Sequence, residues 1–318
     1  MEYPYFIPQN VALSGTRRIS VFNKKGARVG QIRLDTLTPP THGQKLYSFG
    51  ALSDLHIPSS TAEDDFKRAL TYLNDVEGVA FTCICGDITD NGSESELAKY
   101  KAIVNSHSPD APVYAIAGNH EAYYSTSSGY LQNYTGKPGY YKVEHKDDVF
   151  LMLGILGPHQ DNLFTDDELD WFESMMNQYA SKKRVFVFQH IFAPEGCGDA
   201  LGIYPYLTLN DSASSTRFKN ILRAHPNAIW FHGHSHMKFY LQQYSETANY
   251  DRVFGCHSVH IPSITVPRDQ STTGEMTMIY SDSEGYVVDV YENGIHLRGR
   301  NFVYGEFLPI ASYWIDTP

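Results

Sequence analysis

Short apolar segments that end in Asp, Asn or His recur along this chain, and this repetition constrains the fold more than any other feature. Five such segments have the length and content of buried β-strands: LYSFGALS (46–53), VAFTCIC (79–85), PVYAIA (112–117), RVFVFQ (184–189) and NAIWF (227–231). Helical patterns separate several of them. Strands that alternate with helices are typical of layered α/β proteins, which bind ligands at the carboxyl ends of their strands.

The helical patterns are clear in three places. TAEDDFKRALTYLND (61–75) has Thr61 as a candidate N-cap, SESELAKYKAIVNSH (93–107) follows the second strand, and TDDELDWFESMMNQY (165–179) begins with a Thr165/Glu168 capping box. VFLMLGI (149–155) predicts a further strand. YVVDVYENGIHLRGR (286–300) predicts a hairpin around Asn293-Gly294.

The N-terminal region follows a different pattern. RRISVFNKKGARVGQIRL (17–34) alternates apolar and polar residues around a KKG turn, which predicts a hairpin, and LTPPTHGQ (37–44) interrupts regular structure. We therefore expect a small β appendage over residues 1–45 and a main domain over residues 46–318 that includes the C-terminal β segments.

Charge and composition exclude several classes of protein. The formal net charge is −11 with no compensating cluster of Lys and Arg, which disfavours a nucleic-acid polymer as partner. No apolar run reaches the roughly 18 residues of a membrane span, and the first residues, MEYPYFIPQN, do not resemble a secretory signal. We expect a cytoplasmic protein without membrane contact. The four cysteines contain no CxxC pair and are expected to be reduced, buried and inert.

The polar residues that follow the strands form one chemical set. A lone Asp in such a position is ordinarily a turn former or a helix cap, and a lone His is ordinarily a surface or core residue. Agreement among five strand ends instead favours a shared metal site, because carboxylate, imidazole and carboxamide ligands suit Zn, Mn or Fe. The candidates are Asp54, His56, Asp87, Asn119, His120, His190, His234 and His236.

These residues lie in motifs whose order resembles that of the calcineurin-like metallophosphoesterases. The motifs are Asp54-Leu55-His56, Gly86-Asp87-Ile88-Thr89-Asp90, Gly118-Asn119-His120-Glu121, the single His190, and Gly233-His234-Ser235-His236. They are most similar to the branch that includes purple acid phosphatases and class III cyclic-nucleotide phosphodiesterases. The resemblance implies an α/β fold, a four-layer β-sandwich of two mixed sheets flanked by helices. Leu153-Gly154-Ile155 and the sequence around His190 depart from the family pattern without removing a ligand.

The resemblance also implies a binuclear centre of Fe, Mn, Zn or Ni. Asp54, His56, Asp87 and His236 would hold one ion, and Asp87, Asn119, His190 and His234 the other, with Asp87 as the bridge. The implied reaction is hydrolysis of a small phosphomonoester or phosphodiester by a metal-bound hydroxide. A cyclic-nucleotide or glycerophosphodiester phosphodiesterase is the narrower alternative. A nuclease and a non-catalytic scaffold are the less favoured ones.

Neighbouring residues receive supporting roles. His120 is the candidate that orients the substrate or protonates the leaving oxygen, with a purely structural role as its alternative. Asp90 and Glu121 are expected to orient ligands or fix loops. His232 is expected to pack at the strand end, and packing or surface roles are favoured for His159, His257 and His260. Packing is also favoured over substrate stacking for the tyrosines at 123, 124, 130, 134, 140 and 141.

Overall fold

The computed structural model describes most of the main domain and three strands of the N-terminal region. The described residues are 43–59, 61–123, 129–157, 162–194, 196–198, 207–240, 249–252, 255–270 and 275–317, with the side chains of 123, 129, 130 and 270 excepted. The backbone of Tyr5–Phe6, Arg18–Asn23 and Arg28–Arg33 is also described. His159 and Tyr124 lie outside these residues, as do the side chains of Tyr123 and Tyr130.

Strands make up most of the regular structure. In chain order they are β1 (Tyr5–Phe6), β2 (Arg18–Asn23), β3 (Arg28–Arg33), β4 (Lys45–Leu52), β5 (Thr82–Ile84), β6 (Val113–Ala115), β7 (Tyr140–His145), β8 (Asp148–Leu153), β9 (Val185–Gln189), β10 (Ala228–His232), β11 (Tyr250–Asp251), β12 (His257–His260), β13 (Arg268–Gln270), β14 (Met276–Met278), β15 (Glu284–Tyr291), β16 (Gly294–Asn301) and β17 (Glu306–Asp316).

Six α-helices accompany the strands in the described residues. They are α1 (Ala62–Thr71), α2 (Glu94–His107), α3 (Asn119–Tyr123), α4 (Gly129–Thr135), α5 (Asp166–Gln178) and α6 (Ala213–Arg223). A π-helical segment, Tyr72–Glu77, continues α1 and ends at Gly78, which has a φ of 62°. Gly is the residue that adopts this left-handed conformation at least cost.

Two mixed six-stranded sheets form the centre of the main domain. The first has the order β17-β16-β15-β4-β5-β6, with β4, β5 and β6 parallel and the remaining pairs antiparallel. The second has the order β11-β12-β10-β9-β8-β7, with β8, β9, β10 and β12 parallel. Both sheets therefore contain parallel strands whose carboxyl ends lie at one edge.

Three apolar cores separate four layers. Phe49 and Phe231 belong to the core between the sheets, another core joins the first sheet to α1 and α2, and a third joins the second sheet to α5 and α6. Strand β8 shows how the sequence produces this, because Phe150 and Met152 face the first of these cores while Leu151 faces the third. The predicted four-layer fold of two mixed sheets flanked by helices is confirmed.

Most predicted elements are present, with shifted ends. The predicted hairpin of residues 286–300 is present, but Tyr291 pairs with Gly294, so its turn residues are Glu292 and Asn293 instead of Asn293 and Gly294. Strands β2 and β3 pair in the predicted N-terminal hairpin. The division at residue 45 stays a prediction. Strands β7 and β17 and helices α3, α4 and α6 were not predicted.

The capping box predicted for α5 is only half formed. Thr165 Oγ1 accepts a hydrogen bond from the backbone N–H of Glu168, 3.3 Å away. The Glu168 side chain is buried, and its two oxygens have no hydrogen-bond partner among the described residues. The reciprocal arrangement is present at α2 instead, where Ser93 and Glu96 cap each other. Thr61 precedes α1 without a side-chain cap.

Within the described part of the chain, no helix has the length and apolar character that crossing a membrane requires. The four cysteines are buried and free, as predicted. Burial raises the pKa of each thiol. Thiols in this state are poor nucleophiles.

Candidate metal centre

The predicted ligands meet where the carboxyl ends of the two sets of parallel strands face each other. Asp54 follows β4 and Asp87 follows β5 in the first sheet, while His190 follows β9 and His234 follows β10 in the second. The two sheets touch directly here, since His234 N–H donates to Asp54 Oδ2 at 3.0 Å. The topology therefore brings residues from distant parts of the sequence to one location.

Four of the residues form a first ligand group. One ligand atom from each of Asp54, His56, Asp87 and His236 lies within 4.8 Å of the others, and all four residues are buried. His236 Nε2 is 3.1 Å from Asp54 Oδ1. His56 Nε2 is 3.8 Å from Asp87 Oδ2. This spacing is that of donor atoms converging on one position.

A second ligand group shares one member with the first. Atoms of Asp87, His190 and His234 also lie within 4.8 Å of one another, and His190 Nε2 is 3.1 Å from Asp87 Oδ2. Asn119, at the start of α3, has a buried Oδ1 with no hydrogen-bond partner among the described residues. Its neighbour His120 donates its N–H to Asp87 Oδ1 at 2.9 Å, so Asn119 is placed beside this group.

The imidazole rings are oriented by their outward nitrogens. His56 Nδ1 contacts Asp90 Oδ1 at 3.0 Å, His190 Nδ1 contacts the carbonyl of Cys85 at 2.6 Å, and His236 Nδ1 contacts that of Val266 at 3.1 Å. Carboxylate and carbonyl oxygens only accept, so each Nδ1 carries the proton. The Nε2 atoms therefore point into the site, which is the usual arrangement of histidine ligands and their outer partners.

The ligand residues also share an unusual backbone conformation. Of the described non-glycine residues, six have positive φ, and five of these are Asp54 (55°), His56 (51°), Asp87 (48°), His234 (70°) and His236 (60°). A non-glycine residue in this region costs roughly 1–2 kcal/mol. Such strain persists only where surrounding contacts hold it, and it concentrates at functional sites.

Two glycines allow the backbone to approach the ligands closely. A Cβ on Gly118 would lie 2.1 Å from Asp87 Oδ1, and one on Gly233 would lie 2.0 Å from Ser53 Oγ and 2.5 Å from Asp54 Oδ2. The turn that follows β10 is made by His234 and His236 themselves, and Gly233 is required because there is no room for a side chain.

Electrostatics at the site favour positive charge. Burial would lower the pKa of His190, but the carboxylates of Asp87 and Asp54 outweigh burial and raise the pKa to about 9. Burial would raise the pKa of Asp87, but His190 and its other histidine neighbours hold that pKa below its ordinary value. Burial lowers the pKa of His234 to about 3 and that of His236 to about 4, which favours the neutral form of both rings, the form that binds a cation.

Three candidates lie outside the two buried ligand groups. His120 and Asp90 form a further, less buried set of possible ligand atoms with His56. His120 has 26% of its side chain exposed, its Nδ1 donates to the Asp90 carbonyl at 2.7 Å, and its Nε2 is 3.9 Å from Asp87 Oδ2. Asp90 holds the His56 ring through its carboxylate. Glu121 is buried and accepts from the N–H and hydroxyl of Thr89 and from the N–H of Gly118. It therefore joins the two motif loops to each other.

The remaining histidines belong to the surroundings of the site. His232 is fully buried at the end of β10, where its Nε2 lies 3.0 Å from Ser258 Oγ, and the ring contacts Trp230. His260 is also buried and donates to the Met237 carbonyl, while His257 is partly buried against Tyr250. Of the predicted tyrosine cluster, Tyr141 is buried and donates to the Ala115 carbonyl. These contacts are those of packing residues.

A further segment supports the site and has no counterpart among the predicted residues. Ser263, Thr265 and Val266 contact the backbone of the Asp54-Leu55-His56 turn or the ring of His236. The sequence signal was weak, because a Ser and a Thr after Pro262 indicate only a turn.

The arrangement fits divalent transition-metal ions. Asp54 Oδ1 and Asn119 Oδ1 are buried oxygen atoms with no hydrogen-bond partner in the described part of the chain. Burying such atoms without a partner is costly, and a cation would supply one. Imidazole nitrogens and carboxylate oxygens without thiolates suit Zn, Mn, Fe or Ni.

Several solved structures are similar to this chain. GAP50, the anchor in the inner membrane complex of Plasmodium, is similar with a TM-score of 0.58 and 12% identity, over 86% of this chain and 89% of that chain. Vps29 from Chaetomium thermophilum matches with a TM-score of 0.41 and 14% identity, over 86% of this chain and 100% of that chain. A predicted phosphoesterase from Streptococcus pneumoniae TIGR4 matches with a TM-score of 0.38 and 12% identity, over 85% and 97%. The likeness to GAP50 shows a shared fold.

Sequence comparison gives the family. A search of curated proteins finds no match. The family model described as calcineurin-like phosphoesterase matches residues 47–238, which include every motif that contributes to the two ligand groups. The chain therefore belongs to the calcineurin-like phosphoesterase family.

Proposed function

We propose that this protein is a binuclear metal-dependent phosphoesterase that hydrolyses a small phosphomonoester or phosphodiester. The observation that carries the proposal is the sharing of Asp87 between two groups of buried ligand atoms. A carboxylate has two oxygens and a full negative charge, so one residue can serve two cations. Asp54, His56 and His236 complete one set, and Asn119, His190 and His234 complete the other.

The bound ions would supply the part of the chemistry that an acidic protein lacks. Two cations neutralise the phosphoryl oxygens, lower the pKa of coordinated water and orient the ester. The formal net charge of −11 otherwise repels a phosphate. Neutral Asn119, in place of a further carboxylate, keeps the net charge of the loaded site more positive.

His120 is the residue placed to act on the leaving group. Its side chain is partly exposed, whereas the proposed ligands His56, His190, His234 and His236 are all buried, so it can reach a bound ester from the side of the solvent. Donation from its Nδ1 to the Asp90 carbonyl directs Nε2 toward Asp87. We assign to Nε2 the delivery of a proton to the departing oxygen.

More specific candidates for the substrate within this proposal are cyclic nucleotides and glycerophosphodiesters. The acidity of the chain disfavours a nuclease. An anchoring role like the one named for GAP50 is the non-enzymatic alternative. The intact set of proposed ligands favours an enzyme over an anchor.

Metal loading and an activity assay test the proposal together. Protein stripped with a chelator and resupplied with Mn²⁺, Zn²⁺, Fe²⁺ or Ni²⁺ is expected to bind two equivalents and to hydrolyse bis-p-nitrophenyl phosphate or p-nitrophenyl phosphate. Asp87→Ala is expected to lose both properties. Asp75→Ala, which removes an exposed carboxylate, is the matched control.

Two results would overturn the proposal: absence of bound metal by elemental analysis, or full activity of Asp87→Ala. A panel of nucleotides, cyclic nucleotides, glycerophosphodiesters and phosphosugars then identifies the substrate class. A gel assay with single- and double-stranded DNA tests the nuclease alternative. Metal binding without turnover on any of these substrates would support the anchoring alternative.

A further inference from the structure

The turn that contains Asp54 and His56 is strained, and something must hold it. Both residues have positive φ, at 55° and 51°. One side of the turn is secured by the neighbouring motif loop, since the N–H groups of Asp54 and His56 donate to the carbonyls of Gly86 and Asp87. The carbonyl groups of the turn point elsewhere.

Three consecutive carbonyls of this turn accept hydrogen bonds from one short segment. Ile264 N–H donates to the Ser53 carbonyl at 3.0 Å, Ser263 Oγ donates to that of Asp54 at 2.8 Å, and Thr265 Oγ1 donates to that of Leu55 at 2.5 Å. Ser263 and Thr265 are fully buried. The segment thus satisfies every carbonyl from residue 53 to residue 55 within the interior.

The same segment also fixes a ligand from the opposite sheet. The Val266 carbonyl accepts from His236 Nδ1 at 3.1 Å, which directs His236 Nε2 toward Asp54. Ser263 Oγ in turn accepts from the N–H groups of Thr265 and Val266, at 3.1 and 2.9 Å, so the segment is braced internally. Its contacts reach Asp54 and His236, two of the three unshared members of the first ligand group, and Leu55, which lies between Asp54 and His56.

We propose that Ser263–Val266 is a positioning clamp for the first metal ion, with Ser263 and Thr265 as its positioning residues. This inference rests on the binuclear centre proposed above. The segment lies beyond residues 47–238, the region that the family model matches. Its hydrogen bonds to the turn and to His236 end on the part of the site that forms the first ligand group, so we expect the clamp to act mainly on the first ion.

Thr265→Val tests the clamp, because it removes the hydroxyl and keeps the shape of the side chain. Chelator-stripped protein is titrated with Mn²⁺, and the two binding constants are followed by calorimetry and by the electron paramagnetic resonance spectrum of bound Mn²⁺. One of the two constants is expected to weaken about 10- to 100-fold, the usual effect of removing an outer partner of a ligand. The other is expected to change less than threefold.

Two further variants separate positioning from general stability. Thr265→Ser retains the hydroxyl and is expected to restore most of the lost affinity. Thr82→Val removes another fully buried threonine hydroxyl, which lies at the start of β5, the end of that strand away from Asp87, and is expected to leave both constants unchanged. His236→Ala identifies the affected equivalent, because it removes a ligand of the first group alone.

The outcomes distinguish the clamp from the centre itself. Wild-type protein that binds fewer than two equivalents of Mn²⁺ would refute the binuclear proposal. If wild-type protein binds two equivalents but Thr265→Val leaves both binding constants unchanged, or weakens both equally, the clamp is refuted. The binuclear proposal is retained in either case. Failure of Thr265→Ser to restore affinity would also count against the clamp.

Discussion

His56 Nε2 lies 3.0 Å from His236 Nε2, and each ring already donates from its Nδ1 to an oxygen. Two neutral rings in this arrangement would direct lone pairs at each other. A positive charge between them, either a proton or a metal ion, removes the repulsion. Burial would lower the pKa of His56, but hydrogen bonding to Asp90 and the nearby carboxylates outweigh burial and raise that pKa.

Metal uptake should therefore release protons. Below pH 9 the ring of His190 is protonated in the metal-free protein, and a metal ligand must be neutral. We expect the apparent affinity for Mn²⁺ to rise about tenfold per pH unit toward pH 9. Calorimetry in two buffers of different ionisation enthalpy measures the released protons, and binding heats that do not depend on the buffer would contradict this expectation.

His190 should also make the stability of the metal-free protein depend on pH. Because the pKa of His190 is raised to about 9 in the folded state, its contribution is fully present below its ordinary value of 6.5 and is lost as the pH rises through 9. Urea unfolding of metal-free protein should show this decline. His190→Gln should flatten it, and an equally steep decline in the variant would assign the effect to other groups.

His120→Ala should keep both metals and lose turnover. The contact of residue 120 with Asp87 is made by the backbone N–H, which the substitution retains. Loss of a proton donor typically lowers the rate by about 10²- to 10⁴-fold, and the reduction is largest for substrates with poor leaving groups. Rates for aryl and alkyl phosphate esters measure this, and equal losses for both would indicate substrate orientation instead.

Gly233→Ala should damage the site more than its small size suggests. The added methyl would lie 2.0 Å from Ser53 Oγ and 2.5 Å from Asp54 Oδ2, so Asp54 must move. We expect a loss of about 1–3 kcal/mol in unfolding free energy and weaker binding of the first metal ion. Gly78→Ala is the control, because it introduces strain at a φ of 62° where no atom lies within 4 Å. It should lower stability and leave metal stoichiometry intact.

Glu284→Gln should change the pH dependence of folding without removing a proposed metal ligand. Burial raises the pKa of Glu284 from its ordinary value of 4.5 to about 8, and its Oε2 accepts from Phe239 N–H, a bond that an amide oxygen can keep. Stability contributed by the neutral carboxyl is fully present below pH 4.5 and is lost as the pH rises through 8. The variant should gain stability relative to wild type between pH 5.5 and 8 in urea unfolding. The exposed Glu94→Gln is the control, and parallel pH profiles for Glu284→Gln and wild type would refute the expectation.

The sequence predicts the strand ends well because they combine two independent signals. The run 228–231 is buried and apolar throughout, so the polar residues that follow it are easily recognised. His234 and His236 were expected to reach two different groups, and they lie in different groups in the structure. That expectation depended on the strand ending near His232, which is the last residue of β10.

The outer contacts could not be predicted in the same way. Hydrogen bonds from Ser263 and Thr265 span more than 200 residues and end on backbone carbonyls. Every residue has such a carbonyl, so the type of the accepting residue does not indicate these bonds. Strand β17 was missed because exposed and buried residues alternate in only part of it. The half-formed capping box of α5 has a similar origin, since Glu168 matches the local pattern and is nevertheless buried by tertiary packing.

The position of β4 in its sheet has a consequence for biosynthesis. β4 carries Asp54 at its end and pairs with β5 on one side and β15 on the other, and the hydrogen bond from Ser48 to Asp289 across that second pairing spans 241 residues. Contacts so distant in sequence form slowly and only after both partners have left the ribosome. The strand that precedes Asp54 therefore gains its second neighbour only after residues 284–291 have been synthesised. We expect any metal ion at the site to bind near the end of synthesis or after release.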